Sequence, residues 1–289
     1  MKKRALLKSV ARQLLPPIIV DGLKAIRQTV RYGAPEWKYL PQGWPTDDPD
    51  SKGWSDPSIP DTQKAKWGEF LQLTAGTGPL GIAHEANSLV NDDLYAHHLV
   101  MAFGYVLALA AVKKDRLSLL DWGGGLGHYA VLSESLLPGT PVDYWCWDHA
   151  AICSAGREVL PKATFVDQEA QLGDRSFDLV LASGALQCVR DWKETARILS
   201  LRSNPYLFVT RQPFVREHPS FVTSQSMRWY GYKATVAYWF LNRTEFLDHM
   251  ASLGLSLVRE FVFEKHPRIR SAPERADIQG FLFRRKGSP

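Results

Sequence analysis

The sequence predicts a doubly wound α/β fold over residues 80–289, and three observations carry that prediction. Short apolar runs rich in β-branched and aromatic residues alternate with helical stretches, the pattern of parallel strands joined by helices that cover both faces of a sheet. A glycine-rich turn, "DWGGGLGH" (121–128), falls between one such run and one such helix. The last two runs have no helix between them, which makes them an antiparallel pair at the end of an otherwise parallel sheet.

A helical stretch over 88–112 comes first; its longest apolar run, "LVMAFGYVLALAAV", has 14 residues. That is short of the roughly 20 needed to cross a bilayer, so it reads as a buried core helix. The strand "LSLLD" (117–121) then enters the glycines, and "HYAVLSESLL" (128–137) is a helix stopped by Pro138-Gly139. Next come a strand, "VDYWCWD" (142–148), a helix (149–159), and the strands "ATFVD" (163–167) and "FDLVLAS" (177–183). A helix (192–201) leads to "YLFVT" (206–210). A last helix (243–252) opens on "NRTE", where Asn242 and Glu245 have the spacing of a capping box. The closing strands are "LSLVREFVFE" (255–264) and "IQGFLFRRK" (278–286), making seven in all.

The N-terminal extension has a different character. Residues 1–33 hold eight Lys and Arg against Asp21, so the rest of the chain is close to −2 in a protein of net charge +5. Lys8 and Arg12 interrupt any apolar core of a signal peptide and Pro16-Pro17 follows, which argues against secretion. Leu6, Val10 and Leu14 recur at helical spacing with basic residues mostly on the other side, a pattern that suits a helix on an anionic membrane surface or a solvated basic helix. No nucleic-acid reading motif accompanies it, so no nucleic-acid partner is expected. Residues 34–79 are rich in Pro, Gly and Trp and read as an irregular segment pinned by its tryptophans. The three cysteines, Cys146, Cys153 and Cys188, form no CxxC pair and read as free thiols in a reducing, cytoplasmic setting. No His, Cys and carboxylate cluster has metal-ligand spacing, so no metal is expected.

Glycine spacing discriminates between ligands for the turn. A dinucleotide loop, G-x-G-x-x-G, would need glycine at His128, and a P-loop would need a following G-K-[ST]; the chain instead has Gly123, Gly125 and Gly127 after Asp121. An acid before G-x-G-x-G resembles the first motif of class I S-adenosylmethionine-dependent methyltransferases. The resemblance runs over roughly residues 88–286 and implies a Rossmann-like, mostly parallel seven-stranded sheet with S-adenosyl-L-methionine bound at its carboxyl edge. It places Asp121, Gly123, Gly125 and Gly127 in the cofactor loop, Asp148 on the ribose hydroxyls and Asp167 at the adenine amino group. "FDLVLASGALQCVRDW" is similar to the family's segment after the fourth strand, which puts Ser183 to Leu186, Ala185 among them, near the methionine part. Gln187 stands where histidine is frequent, and this departure weakens a catalytic role there. Local alternatives remain: Asp121 as a turn cap, Asp148 as the N-cap of the next helix, Asp167 as a surface turn. His128 and Tyr129 read as packing or cofactor contacts and His149 as a surface residue.

Between the fifth strand and the last helix lies a long insert, 211–242, dense in Arg, His, Tyr and Trp, and long loops of this kind gather where ligands bind. It is the expected acceptor site, with His218 and Tyr230 as candidates for base or acceptor orientation and Arg211 and Gln225 for an anionic or sugar group. With "RQLLPPIIVDGLK" and "GWSDPSI", its "FVTSQ" and "NRTEF" resemble a bacterial methyltransferase family often associated with cell-surface polysaccharide genes. That implies O-methylation of a small-molecule or glycan-like hydroxyl. A non-catalytic binding subunit of the same fold would leave much the same sequence, whereas a nucleotide-linked oxidoreductase would want the loop spacing that is absent.

Overall fold

The computed structural model describes residues 36–45, 53–86, 88–264, 266–267 and 269–287; the basic arm expected at 1–33 lies outside the described residues. The chain folds as a Rossmann-like α/β structure. The strands β1 (Trp37–Leu40), β2 (Leu117–Trp122), β3 (Val142–Trp147), β4 (Thr164–Val166), β5 (Phe177–Ser183), β6 (Ser203–Val215), β7 (Phe221–Ser226), β8 (Thr235–Asn242), β9 (Leu255–Phe263) and β10 (Asp277–Arg285) are interleaved, among the described residues, with six α-helices. These are α1 (Ser58–Thr74), α2 (Leu94–Ala110), α3 (His128–Leu136), α4 (Ala150–Val159), α5 (Trp192–Arg202) and α6 (Arg243–Ser252).

Seven strands form the expected sheet in the order β4-β3-β2-β5-β6-β10-β9. The pairs from β4 to β6 are parallel, and β10 runs antiparallel to both β6 and β9. Alternation along the strands separates two cores. Leu119, Leu179, Leu181 and Phe208 face one core with α1 to α4, while Leu120, Val180, Ala182, Leu207 and Val209 face the other with α5 and α6. Each fully buried aliphatic or aromatic side chain contributes about 1.5–3 kcal/mol, so this two-sided burial fixes the strands against slippage.

Three stretches differ from their sequence-based bounds by more than a residue at each end. The helix expected from residue 88 starts at Leu94, because Gly81 pairs by backbone with Asn91 and Asp93 and the Asp93 carboxylate then caps Ala96 N–H at 2.8 Å. Residues 34–79, expected to be irregular, contain β1 and the helix α1. Its buried residues Ile59, Gln63, Trp67, Phe70 and Thr74 lie at helical spacing, and Asp56 Oδ1 accepts the Ser58 N–H at 2.9 Å where it opens. The fifth strand of the sheet, β6, runs on to Val215 instead of stopping at 210. Past the end of β5 it pairs instead with β8 in parallel, Phe214 with Leu241 and Val215 with Asn242.

The insert is therefore ordered: β7 and β8 pair antiparallel and β1 adds to β7, making a three-stranded ribbon attached to the extended end of β6. Trp37 packs edge-on against Tyr238 and Phe240 at 5.3 and 5.7 Å, and Trp44 stacks on Trp239 at 5.8 Å. Asn242 Oδ1 accepts the Glu245 N–H at 3.1 Å, but the Glu245 carboxylate goes to Ser220 and Lys193, so the capping box is half formed. Among the described residues no helix is long and apolar enough to cross a membrane.

Candidate active site

The carboxyl ends of β2, β3 and β5 open onto a cavity of about 390 Å³. The glycine loop forms its floor. Gly123, Gly125 and Gly127 all have left-handed backbones, φ 72, 61 and 90°, and Gly123 N–H is tied to the Trp147 carbonyl at 2.8 Å. A side chain at Gly123 would put its Cβ 2.5 Å from that of Ala185, so the loop after β2 can lie against the turn after β5 only with glycine there. Gly123 and Gly125 line the cavity, and Gly127 packs behind the loop on Leu160 and Phe165.

Asp148 follows β3 at the cavity wall. Its Oδ2 accepts the Gly125 N–H at 2.9 Å and its Oδ1 the His149 N–H at 2.6 Å. It bonds the first amide after itself, so it is not the cap of α4; His149 holds that position. Burial pushes the Asp148 carboxyl pKa up, against the two amides, which favour the ionised form. Asp167 and His149 also line this end, and Ser183, bonded to the Tyr129 hydroxyl at 2.7 Å, lines the cavity with Ala185. Asp121 behaves differently from expectation. It is 1% exposed and does not line the cavity; it sits beneath the loop, where Tyr144 donates to its Oδ2 at 2.5 Å and a Cβ on Gly124 would come 2.5 Å from the same oxygen. Its role is to support the loop.

The opposite wall comes from the N-terminal side of the chain, where sequence reasoning placed no site residue. Trp54, Ile59 and Gln63 from α1 and the turn before it, and His84 and Glu85 from the α1–α2 connection, face the cavity. The His84 ring stacks on His128 at 4.1 Å, and Trp67 and Phe70 close on His128 edge-on at 5.1 and 4.8 Å. Burial, more than the opposing pull of Glu85, pushes the His84 pKa down to about 4, and burial holds His128 well below the usual imidazole range. Both rings are neutral at pH 7. Glu85 forms an ion pair with Arg211.

Of the expected acceptor residues, Arg211 is at the cavity and the others are elsewhere. His218 lies in the β6–β7 turn, with its ring Nδ1 2.9 Å from the Pro219 carbonyl oxygen and its N–H donated to Glu274. Gln225 donates to Glu36 at 2.8 Å and to the Tyr230 hydroxyl at 3.4 Å, a half-buried cluster between the start of β1 and the β7–β8 connection. Burial raises the Tyr230 pKa strongly, which makes it a poor base. Gln187, one residue before the cavity-lining Cys188, donates to the Arg211 carbonyl at 3.4 Å. No group of three metal-ligating side chains occurs among the described residues.

These residues fit S-adenosylmethionine. Each Asp148 oxygen has one amide donor and keeps lone-pair capacity for a ribose hydroxyl, the loop beside it is free of side chains, and the strand edge is where such cofactors lie. The fold and this loop define a class I S-adenosylmethionine-dependent methyltransferase. A methyltransferase-domain family model matches residues 95–260, and the chain belongs to that family. No curated protein matches it. Similar solved structures include the magnesium protoporphyrin IX methyltransferase of Synechocystis PCC 6803 with bound SAM, at 16% identity over 79% of this chain and 95% of that one, TM-score 0.44. Another is the 1,6-didemethyltoxoflavin-N1-methyltransferase of Burkholderia thailandensis with bound 1,6-didemethyltoxoflavin and S-adenosylhomocysteine, at 14% identity over 67% of this chain and 81% of that one, TM-score 0.42. A third is an S-adenosylmethionine-dependent methyltransferase of Clostridium acetobutylicum, at 11% identity over 65% and 92%, TM-score 0.41.

Proposed function

We propose that the chain transfers the methyl group of S-adenosylmethionine to a hydroxyl of a small-molecule or glycan-like acceptor, in the making of a surface polysaccharide. The observation that carries the transfer is one cavity that joins Asp148 and the glycine loop to a wall of Trp54, Gln63 and His84. Its volume of about 390 Å³ falls in the range of small-molecule sites. Bound there, the cofactor supplies a methyl group already activated by its sulfonium. What the chain must do is hold the acceptor oxygen in line and take up its proton. Neutral His84, at the wall, is the side chain placed to accept a hydrogen bond from the acceptor hydroxyl, its lowered pKa making it a weak base, and the Trp54 indole is an apolar face against which a sugar-like ring can lie. The surface-polysaccharide role rests on the sequence resemblance of the insert and its flanking segments.

Calorimetric titration tests the cofactor. S-adenosylmethionine is expected to bind and NAD not to, and Asp148→Ala is expected to weaken the first by about 10- to 100-fold, the worth of hydrogen bonds to a charged carboxylate. Undiminished binding by that variant, or no binding by folded wild-type protein, sinks the assignment. Residues 1–33 carry the further expectation of peripheral contact with anionic membrane. The full chain should sediment with phosphatidylserine vesicles at low salt and a chain lacking 1–33 should not; equal sedimentation of the two would count against it.

A further inference from the structure

The cavity holds its charges in two places. Asp148 and Asp167 stand at one end; at the other, Arg211 and Glu85 are paired with each other. A chain of contacts orders the groups between them: Asp148 is bonded to Gly125, Gly123 abuts Ala185, and Gly184 lies against the Arg211 guanidinium, where a Cβ would be 3.4 Å from Cζ. The Arg211–Glu85 pair is thus separated from Asp148 by the glycine loop and the turn after β5.

Both partners are held in place. Arg211 has a left-handed backbone, φ 59°, sparsely populated for a residue with a side chain and worth examining for function where it occurs at a ligand cavity. It falls where β6 leaves β5, one residue after Thr210 pairs with Ser183, and its carbonyl is held by Gln187. Glu85 sits in a turn clamped from both sides by Lys66, whose ammonium donates to the carbonyls of His84 at 3.0 Å and Ala86 at 2.7 Å. The side chains of Arg211 and Glu85 are 19% and 27% exposed, so the pair is largely but not wholly removed from water.

We infer that Arg211 and Glu85 together receive the α-amino-acid end of the cofactor, Arg211 taking its carboxylate and Glu85 its ammonium. The inference rests on the methyltransferase reading and moves Arg211 from the acceptor to the cofactor. With adenosine at Asp148 and Asp167, the remaining end of the cofactor carries one cation and one anion, and the pair offers one of each. Exchanging a single ion pair for two leaves the net charge of the cavity unchanged and strands no buried charge. An anionic acceptor at Arg211 would instead leave the Glu85 carboxylate without its partner guanidinium beside a second negative charge.

The test compares S-adenosylhomocysteine with 5′-methylthioadenosine, which keeps the nucleoside and lacks the amino-acid group, by calorimetry on the full chain. Wild-type protein should bind the first more tightly. Arg211→Gln and Glu85→Gln should each weaken S-adenosylhomocysteine by about 10- to 100-fold and leave 5′-methylthioadenosine unchanged, with Arg211→Lys recovering part of the loss. Unchanged 5′-methylthioadenosine binding also reports an intact fold; should Arg211→Gln lose it, Glu85→Gln carries the comparison. Variants that weaken both ligands equally, or neither, overturn the inference. Wild-type protein that binds neither ligand overturns the cofactor reading itself.

Discussion

Replacing Gly127 with alanine is expected to lower stability by about 2–5 kcal/mol, combining a left-handed backbone with overpacking. The backbone there has φ 90°, a conformation costing an L-residue about 1–2 kcal/mol. The new Cβ would stand 2.8 Å from Leu160 Cδ2 and 3.3 Å from Phe165 Cζ. Leu160 and Phe165 are 6% and 5% exposed and cannot swing into solvent, so the clash adds about 1–3 kcal/mol. Gly125→Ala makes the contrast. Its φ is 61°, yet Gln63 and His128 are the neighbours met, none nearer than 3.4 Å, so the backbone cost of about 1–2 kcal/mol stands alone. That methyl points into the cavity, on the residue whose amide serves Asp148. Thermal melts should therefore register Gly127→Ala most strongly, by about 2–4 °C per kcal/mol, and calorimetry with S-adenosylmethionine should register Gly125→Ala most strongly. The reverse pattern would mean that the two glycines have exchanged roles.

The parts of this molecule legible in the sequence are those with local causes. Phe177–Ser183 and Arg243–Ser252 have the bounds that their periodicity predicts, and Asn242 caps its helix through its own side chain. The glycine turn follows from spacing alone, since left-handed backbone at Gly123, Gly125 and Gly127 is a property of those residues. The N-terminal wall has no such local signature. Gln63, His84 and Glu85 belong to no motif and reach the cavity because α1 and the connection after it pack across the loop. A helical spacing of Ile59, Gln63, Trp67 and Phe70 was present, masked by Pro57 and Pro60, which sit where the helix begins and a proline is tolerated. The insert presents the opposite case. Its length and aromatic content marked it as ligand-facing, yet those aromatics bury one another: Phe221 stacks on Phe240 at 5.3 Å, and Trp37 from β1 covers Tyr238. Composition cannot tell an aromatic that waits for a ligand from one that waits for its own neighbour.

Asp121 is expected to make stability fall as pH rises from about 4 to 7, and Asp121→Asn to abolish that fall. Burial, with a smaller push from the Asp148 charge and against the Tyr144 hydrogen bond, raises the carboxyl to about 7 from an ordinary 3.8. In the unfolded chain the group ionises near 3.8, so above that pH the unfolded state has lost a proton that the folded state still holds. The advantage of the folded, protonated form is fully present below pH 3.8 and is lost progressively up to about 7. At 1.36 kcal/mol per unit the total is up to about 4 kcal/mol. Asparagine is isosteric and neutral at every pH and keeps a carbonyl oxygen to accept the Tyr144 hydroxyl, so the loop above it retains its support. Melting temperatures of the two proteins should therefore differ more in favour of the variant at pH 8 than at pH 5. An equal difference at both would place the Asp121 carboxylate in its ordinary range and ionised beneath the loop, with a donor to its Oδ1, an oxygen that has no hydrogen-bond partner among the described residues.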